Sequence, residues 1–289
     1  ATVFSLVTLF SLLGGIDLIF HDVEAEKVNL FFILVDLLLS SMLAIIYTND
    51  LFTSYVFVEI NTIAACGMIL IRGNGRSMVA ATRYMVMSLI GSGLFLIGLA
   101  MLYDITGHLL MQNAHLALTE LIGRGAYEVP ILVIISFITV GLAIKSGLYP
   151  FHSWMPDAYG YSTASSSAIL SGLVSKSYII LLIKIFYRVI GFDNVVTSKI
   201  VNVLFIFGLI GMIMGSISAI MAKDIYRMIA YSSVAQIGYI YMGIGLGIEA
   251  GMIAAVFHIL THAVTKSLLF LSAKGLNEVS GRKRLFPYL

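Results

Sequence analysis

Two lysines set in apolar surroundings are the first residues that could do chemistry. Residues 141–176 read GLAIKSGLYPFHSWMPDAYGYSTASSSAILSGLVSK. An apolar run carries Lys145 and is stopped by Pro150. A short segment with Trp154, Pro156 and Asp157 follows, and a serine-rich stretch leads into a second apolar run carrying Lys176. A charge at the centre of a bilayer costs at least ~3 kcal/mol, so such residues line an ion path or a water-filled cavity by default. A proline-interrupted hydrophobic segment is also the sequence mark of a transporter's working site.

Lys145 stands five residues before Pro150, where a helix-end lysine could instead snorkel to the interface. Against that, a helix break frees backbone carbonyls, and these are tolerated at membrane depth only beside protein or water. Lys176 lies about fourteen residues into its own run and cannot easily snorkel. Ser165, Ser166, Ser167, Ser171, Ser175 and Ser177 surround it in sequence, as hydroxyls for a water chain or as small residues for helix packing. Lys184 falls two turns beyond Lys176, near the span's end, and reads as a snorkelling lysine and only a secondary candidate.

Glu59 lies near the middle of the run DLFTSYVFVEINTIAACGMILI. It is either a protonated carboxyl bonded to a neighbouring helix or half of an ion pair, most plausibly with Lys145. A buried pair stabilises weakly at best. Its use would be as a switch, because the lysine can release a proton when the pair opens.

The run GMIAAVFHILTHAVTKSLLFLSAKGL places His258, His262 and Lys266 every four residues, on one slowly drifting helix face. Histidines at i and i+4 also suit a metal, but no glutamate stands between them and no third ligand is evident. A stripe of His, His and Lys suits a proton relay better. His152 and Asp157, beside the break, are secondary candidates that could guard an entrance or simply fix the turn.

The elements that must position these residues are membrane helices. The chain is 60% hydrophobic and 11% charged, with a mean hydropathy of +1.00, values of a polytopic membrane protein. Cys66 is the only cysteine, which excludes an internal disulfide and a cysteine-held metal cluster. The run Gly243, Gly245, Gly247 lies inside an apolar span and reads as close helix packing, not as a phosphate loop. These features imply no soluble domain, no cofactor in this chain and no nucleic-acid partner.

Runs of about 18–25 apolar residues can span a bilayer. They fall at roughly 1–20, 31–48, 50–71, 78–103, 130–148, 162–187, 200–222, 226–247 and 250–275. Residues 1–20 lack a basic leader and a clear cleavage site, so they read as a span, not a signal peptide. The longest connection, 104–129, is polar and predicts a short amphipathic helix. Arg72, Arg76, Arg83, Lys223, Arg227, Lys274, Arg282, Lys283 and Arg284 collect at one side, against Arg124, Arg188 and Lys199 at the other. The positive-inside rule puts the first set in the cytoplasm.

Together these stretches resemble the antiporter-like, proton-translocating membrane subunits of respiratory complex I, of Mrp sodium/proton antiporters and of membrane-bound group 4 hydrogenases. NDLFTSYVFVEI is similar to that family's glutamate-bearing fifth helix. AIKSGLYPFHSWMPDA is similar to its broken seventh helix, SAILSGLVSK to its eighth, and KDIYRMIAYSSVAQIGYI and HILTHAVTKSLLFL to its tenth and eleventh. They occur in the family's order over residues 31–276.

The resemblance implies an all-α polytopic bundle of inverted five-helix repeats with a discontinuous helix near Pro150. Residues 1–30 would be an N-terminal span and loop, 31–190 the first repeat, and 191–289 part of the second. It makes Glu59 and Lys145 a coupling pair and Lys176 the connecting lysine, with His258, His262 and Lys266 continuing the path. Only three helices of the second repeat are present and its broken helix is missing, so the chain reads as partial. The implied function is proton or sodium translocation within a larger membrane complex of a prokaryotic cell membrane, beside homologous antiporter-like subunits, with redox chemistry done elsewhere. A stand-alone solute transporter and a scaffold subunit without transport are the competing readings.

Overall fold

A computed structural model describes residues 1–125, 127–191 and 195–280. Among these the chain is helical, with one isolated bridge, Asp50 to Leu110. The elements are α1 (Thr2–Leu13), α2 (Ile16–Asp22), α3 (Val28–Tyr47), α4 (Leu51–Leu70), α5 (Gly75–Thr106), α6 (Met111–Gly123) and α7 (Glu128–Ser146). They continue with α8 (Met155–Tyr161), α9 (Ala164–Ile169), α10 (Ser175–Ile185), α11 (Val195–Met221), α12 (Ile225–Gly245) and α13 (Glu249–Ser280). Among the described residues seven helical stretches are long and apolar enough to cross a membrane, and a bent pair would be an eighth.

Two of the nine expected spans differ in kind. Residues 1–20 are not one straight helix: α1 and α2 meet at 61°. The elbow is at Gly14 and Gly15, where a Cβ on Gly15 would stand 2.1 Å from Ser165 Oγ, so only glycine lets the chain turn against α9. The span at 226–247 is a 21-residue helix, α12, as expected in place and length. It falls short of the apolarity of the others because it carries the tyrosines, serines and glutamine that face polar neighbours. Within the connection 104–129, α6 is the short amphipathic helix predicted there. Its His115 Nδ1 lies 3.1 Å from the Val189 carbonyl.

Side chains that compete for backbone donors start the helices. Asp50, Asn74, Thr163 and Asp224 each accept from backbone N–H groups in the first turn of α4, α5, α9 and α12. Small residues bring helix axes together. Gly91 on α5 and Gly141 on α7 face each other so closely that a Cβ on Gly141 would lie 2.6 Å from the Gly91 carbonyl oxygen. Gly243 sits against Gly251 and Ala255 of α13, and Gly245 against Phe205 of α11. Gly247 closes the turn at φ +67.

The charge asymmetry of the sequence has a spatial counterpart. Arg72, Arg76 and Lys274 line one cavity of about 180 Å³ with Asp22, Asp224 and Tyr161. Arg83 and Arg227 meet beside it on Asp157. At the opposite end Arg188 donates to Asn49 (3.1 Å). Arg282, Lys283 and Arg284 lie outside the described residues.

Candidate functional site

The break in the seventh helix begins earlier than Pro150. α7 ends at Ser146, and Gly147 adopts φ +78, a left-handed conformation that favours glycine. A Cβ there would also meet Met155 Sδ at 2.3 Å. The end of α7 is closed by Gly147 N–H on the Ile144 carbonyl and Leu148 N–H on the Ala143 carbonyl. A 3₁₀ turn at Phe151–Trp154 then leads into α8. Trp154 Nε1 reaches back to the Ile144 carbonyl (3.4 Å), and Ser146 Oγ pairs with Tyr241 Oη of α12 (2.8 Å). The break is therefore held by side chains on both flanks.

Lys145 sits in the last turn of α7, where the helix dipole favours a cation. It is 1% exposed, so its ammonium does not snorkel to an open surface of the bundle. Its Nζ donates to Thr62 Oγ1 at 2.7 Å and lies 3.8 Å from Glu59 Oε1. Thr62 is one turn beyond Glu59 on α4, so the two present adjacent oxygens to one cation. The ammonium also lies 5.6 Å from the centre of the Tyr178 ring.

Lys176 is fully buried at the start of α10. The preceding five residues, Leu170–Val174, form a π turn, a feature common at functional positions. Lys176 Nζ donates to the Ser171 carbonyl inside that turn. Its neighbours Ser165, Ser166, Ser167, Ser175 and Ser177 are all buried. Ser167 Oγ bonds the Tyr159 carbonyl (2.7 Å) and Ser175 Oγ the Tyr159 hydroxyl (2.9 Å). The serines thus tie α8 to α9 and α10, a packing role beside any solvating one.

The stripe on α13 is a stripe in space. The rings of His258 and His262 stack with centroids 6.1 Å apart. His258 Nε2 is 2.7 Å from Gln236 Oε1 on α12. Lys266 Nζ donates to Ser232 Oγ and, at 3.0 Å, to the Ile229 carbonyl. His262, 2% exposed, has no hydrogen-bond partner for either ring nitrogen. Lys176, Lys266 and His258 are the charged or titratable groups that act electrostatically upon it.

The secondary candidates separate from this axis. Lys184 donates to the carbonyls of Ile46 (3.0 Å) and Thr48 at the end of α3, which makes it an interhelical cap. Asp157 is clamped by Arg83 and Arg227, from α5 and α12. His152 stacks on Tyr149 with centroids 5.1 Å apart. These placements join the broken segment to its neighbours.

Sequence reasoning missed the uncharged partners. Thr62, Tyr84, Tyr178, Ser232 and Gln236 complete the site, yet each looks like an ordinary helix residue. The one available signal is position, since Thr62 and Tyr178 lie within a turn of Glu59 and Lys176. Lys274 is 7% exposed and bonds both oxygens of Asp22 at 2.8 and 3.0 Å, a pairing that sequence reasoning also missed.

Comparison with known proteins agrees with this helical membrane fold. The family model described as NADH:quinone oxidoreductase/Mrp antiporter, TM, matches residues 48–287. NADH-quinone oxidoreductase subunit N of Desulforudis audaxviator is 36% identical over 251 residues, 86% of this chain and 49% of that protein. A chain of the archaeal membrane-bound sulfane sulfur reductase, a respiratory membrane complex, matches with a TM-score of 0.87 at 30% identity, covering 98% of this chain and 56% of its own. A chain of the Mrp complex from Dietzia sp. gives a TM-score of 0.85 at 28% identity, covering 98% and 51%. The chain spans about half the length of these relatives.

Proposed function

The chain belongs to the NADH:quinone oxidoreductase/Mrp antiporter transmembrane family, and from that premise we propose that it moves protons, or sodium ions, as an antiporter-like subunit of a larger membrane complex. The observation that carries this reading is Lys145, a buried ammonium held in loose contact with Glu59 at the edge of a broken helix. A lysine in that setting changes its interactions whenever the carboxylate moves, and further along Lys176 and Lys266 act electrostatically on His262.

The route has the means to carry protons between these groups. Buried hydroxyls and ring nitrogens that lack protein partners recur along it, at Tyr84, Tyr178, Ser171 and His262. Buried polar atoms of this kind are the ones that ordered water bridges. The polar groups are strung along α4, α7, α10 and α13 and do not converge on one pocket, which disfavours a stand-alone solute transporter. Redox chemistry falls to other subunits in this reading, and the chain itself needs no cofactor. Its partners are further membrane subunits, homologous ones among them, and the bacterial and archaeal relatives favour a prokaryotic cell membrane.

The reading is tested at Lys176. In sealed vesicles carrying the parent complex, Lys176→Ala should cut gradient formation at least about ten-fold per assembled complex, the scale of a lost proton-transfer group. Unchanged gradients would remove Lys176 from the path and the function with it.

A further inference from the structure

Lys145 has both a carboxylate and an aromatic ring within reach. Glu59 reaches it from α4 at 3.8 Å, outside hydrogen-bond range, and Glu59 Oε1 has no hydrogen bond of its own. Tyr178 reaches it from α10, with the ammonium 5.6 Å from the ring centre. That is within the range of a cation–π attraction, which strengthens where water is excluded. Tyr178 is completely buried and Tyr84 is 1% exposed, and Lys145 is itself enclosed.

The two phenols are the second clue. The hydroxyls of Tyr84 and Tyr178 stand next to one another and to Thr62, with Ser88 also beside Tyr84, but none of these contacts has the geometry of a full hydrogen bond. A buried hydroxyl without a partner is unfavourable, and phenylalanine would fill the same space without that penalty. Tyr84 has its ring fixed edge-on against Trp154, with centroids 5.0 Å apart. The pair therefore offers a π face and two phenol oxygens at a fixed place beside Thr62, whose hydroxyl accepts from Lys145.

We propose that Tyr178, backed by Tyr84, is a second seat for the Lys145 ammonium, taken up when the contact with Glu59 opens. The proposal rests on the translocation reading above and deepens it. A lysine leaving Glu59 then has a defined destination. The ring face attracts the ammonium and not the neutral amine, and the phenol oxygens can accept its N–H groups. Tyr178 is on α10, the helix that also carries Lys176, although two residues apart the two side chains leave that helix on different faces. No covalent bond changes in the step. The seat accepts a cation, and Tyr178 is a positioning residue.

The test compares Tyr178→Phe, Tyr178→Leu and Tyr84→Phe with wild type in vesicles holding the parent complex, with gradient formation and turnover both normalised to assembled complex. Tyr178→Phe keeps the π face and should retain at least about half the gradient. Tyr178→Leu removes it and should lower the gradient about ten-fold while turnover persists in part. Tyr84→Phe should behave like Tyr178→Phe. Tyr178→Met, which has bulk but no π face, replaces the leucine variant where that one does not assemble. The idea is overturned if the Leu or Met variant matches wild type, or if Phe is as damaged as Leu. Lys145→Ala is run in parallel: loss of the gradient there with intact Tyr178 variants would defeat the seat alone, whereas an intact gradient there would defeat the translocation reading.

Discussion

Lys145 Nζ stands 3.8 Å from Glu59 Oε1 and 2.7 Å from Thr62 Oγ1. The cation is thus bonded to a neutral hydroxyl and only attracted to the carboxylate. A tight bidentate contact would fix the pair. This arrangement leaves the carboxylate free to move while the ammonium keeps one strong bond. Ion pairs buried in this way contribute little net stability, so a switching role accounts for the pair better than a structural one.

Glu59→Gln removes the anion and keeps the shape. The subunit should assemble normally, because Thr62 still holds the ammonium. Ion movement per turnover should fall at least about ten-fold, since nothing then drives the lysine between two positions. Gradient formation equal to wild type, read with a fluorescent pH or sodium probe, would show that the carboxylate is not part of the switch.

Asp22 and Lys274 join α2 to α13 across a separation of 252 residues, with distances of 2.8 and 3.0 Å. Arg72 adds a third charge at 3.5 Å from the same carboxylate. Breaking a buried pair by removing one partner costs about 3–5 kcal/mol, and replacing both by apolar groups costs far less. Lys274→Met should therefore destabilise the bundle more than the double variant Asp22→Leu with Lys274→Met. Thermal unfolding of the purified complex reads the difference. A double variant whose loss equals the sum of the two single losses would mean the pair is not coupled.

Gly141→Ala tests what places Lys145. The added Cβ would lie 2.6 Å from the Gly91 carbonyl oxygen and 2.8 Å from the Phe95 nitrogen, both backbone atoms that cannot step aside alone. Overpacking of this kind costs about 1–3 kcal/mol. Lys145 is one turn further along the same face of α7, so displacement of the helix reaches it. Less assembled complex, and lower transport in what assembles, are the expected results. A fully active variant at normal abundance would show that α5 and α7 can separate without moving the lysine.

Much of this site is legible in the sequence because charge in an apolar run is conspicuous. Glu59, Lys145, Lys176, His258, His262 and Lys266 all stand out on that ground, and the four-residue spacing of the last three fixes a common helix face. Lys145 and Glu59 were expected to pair and do come together. The hydroxyl and amide partners were not legible. Thr62, Ser232 and Gln236 are frequent in membrane helices for reasons of packing, and only tertiary contact distinguishes them. The pairing of Lys274 with Asp22 depends on the elbow at Gly14 and Gly15, which a hydropathy pattern cannot convey. The π turn before Lys176 is invisible for the same reason: Leu170–Val174 carries no residue that forbids an ordinary helix.

The most direct measurement is gradient formation in sealed vesicles containing the parent complex, wild type against Lys145→Ala, with turnover recorded in parallel. Partial turnover with a gradient reduced at least about ten-fold is the predicted result, because the cation that links Glu59 to the rest of the axis is gone. Turnover and gradient both equal to wild type would contradict it and leave Lys145 a packing residue.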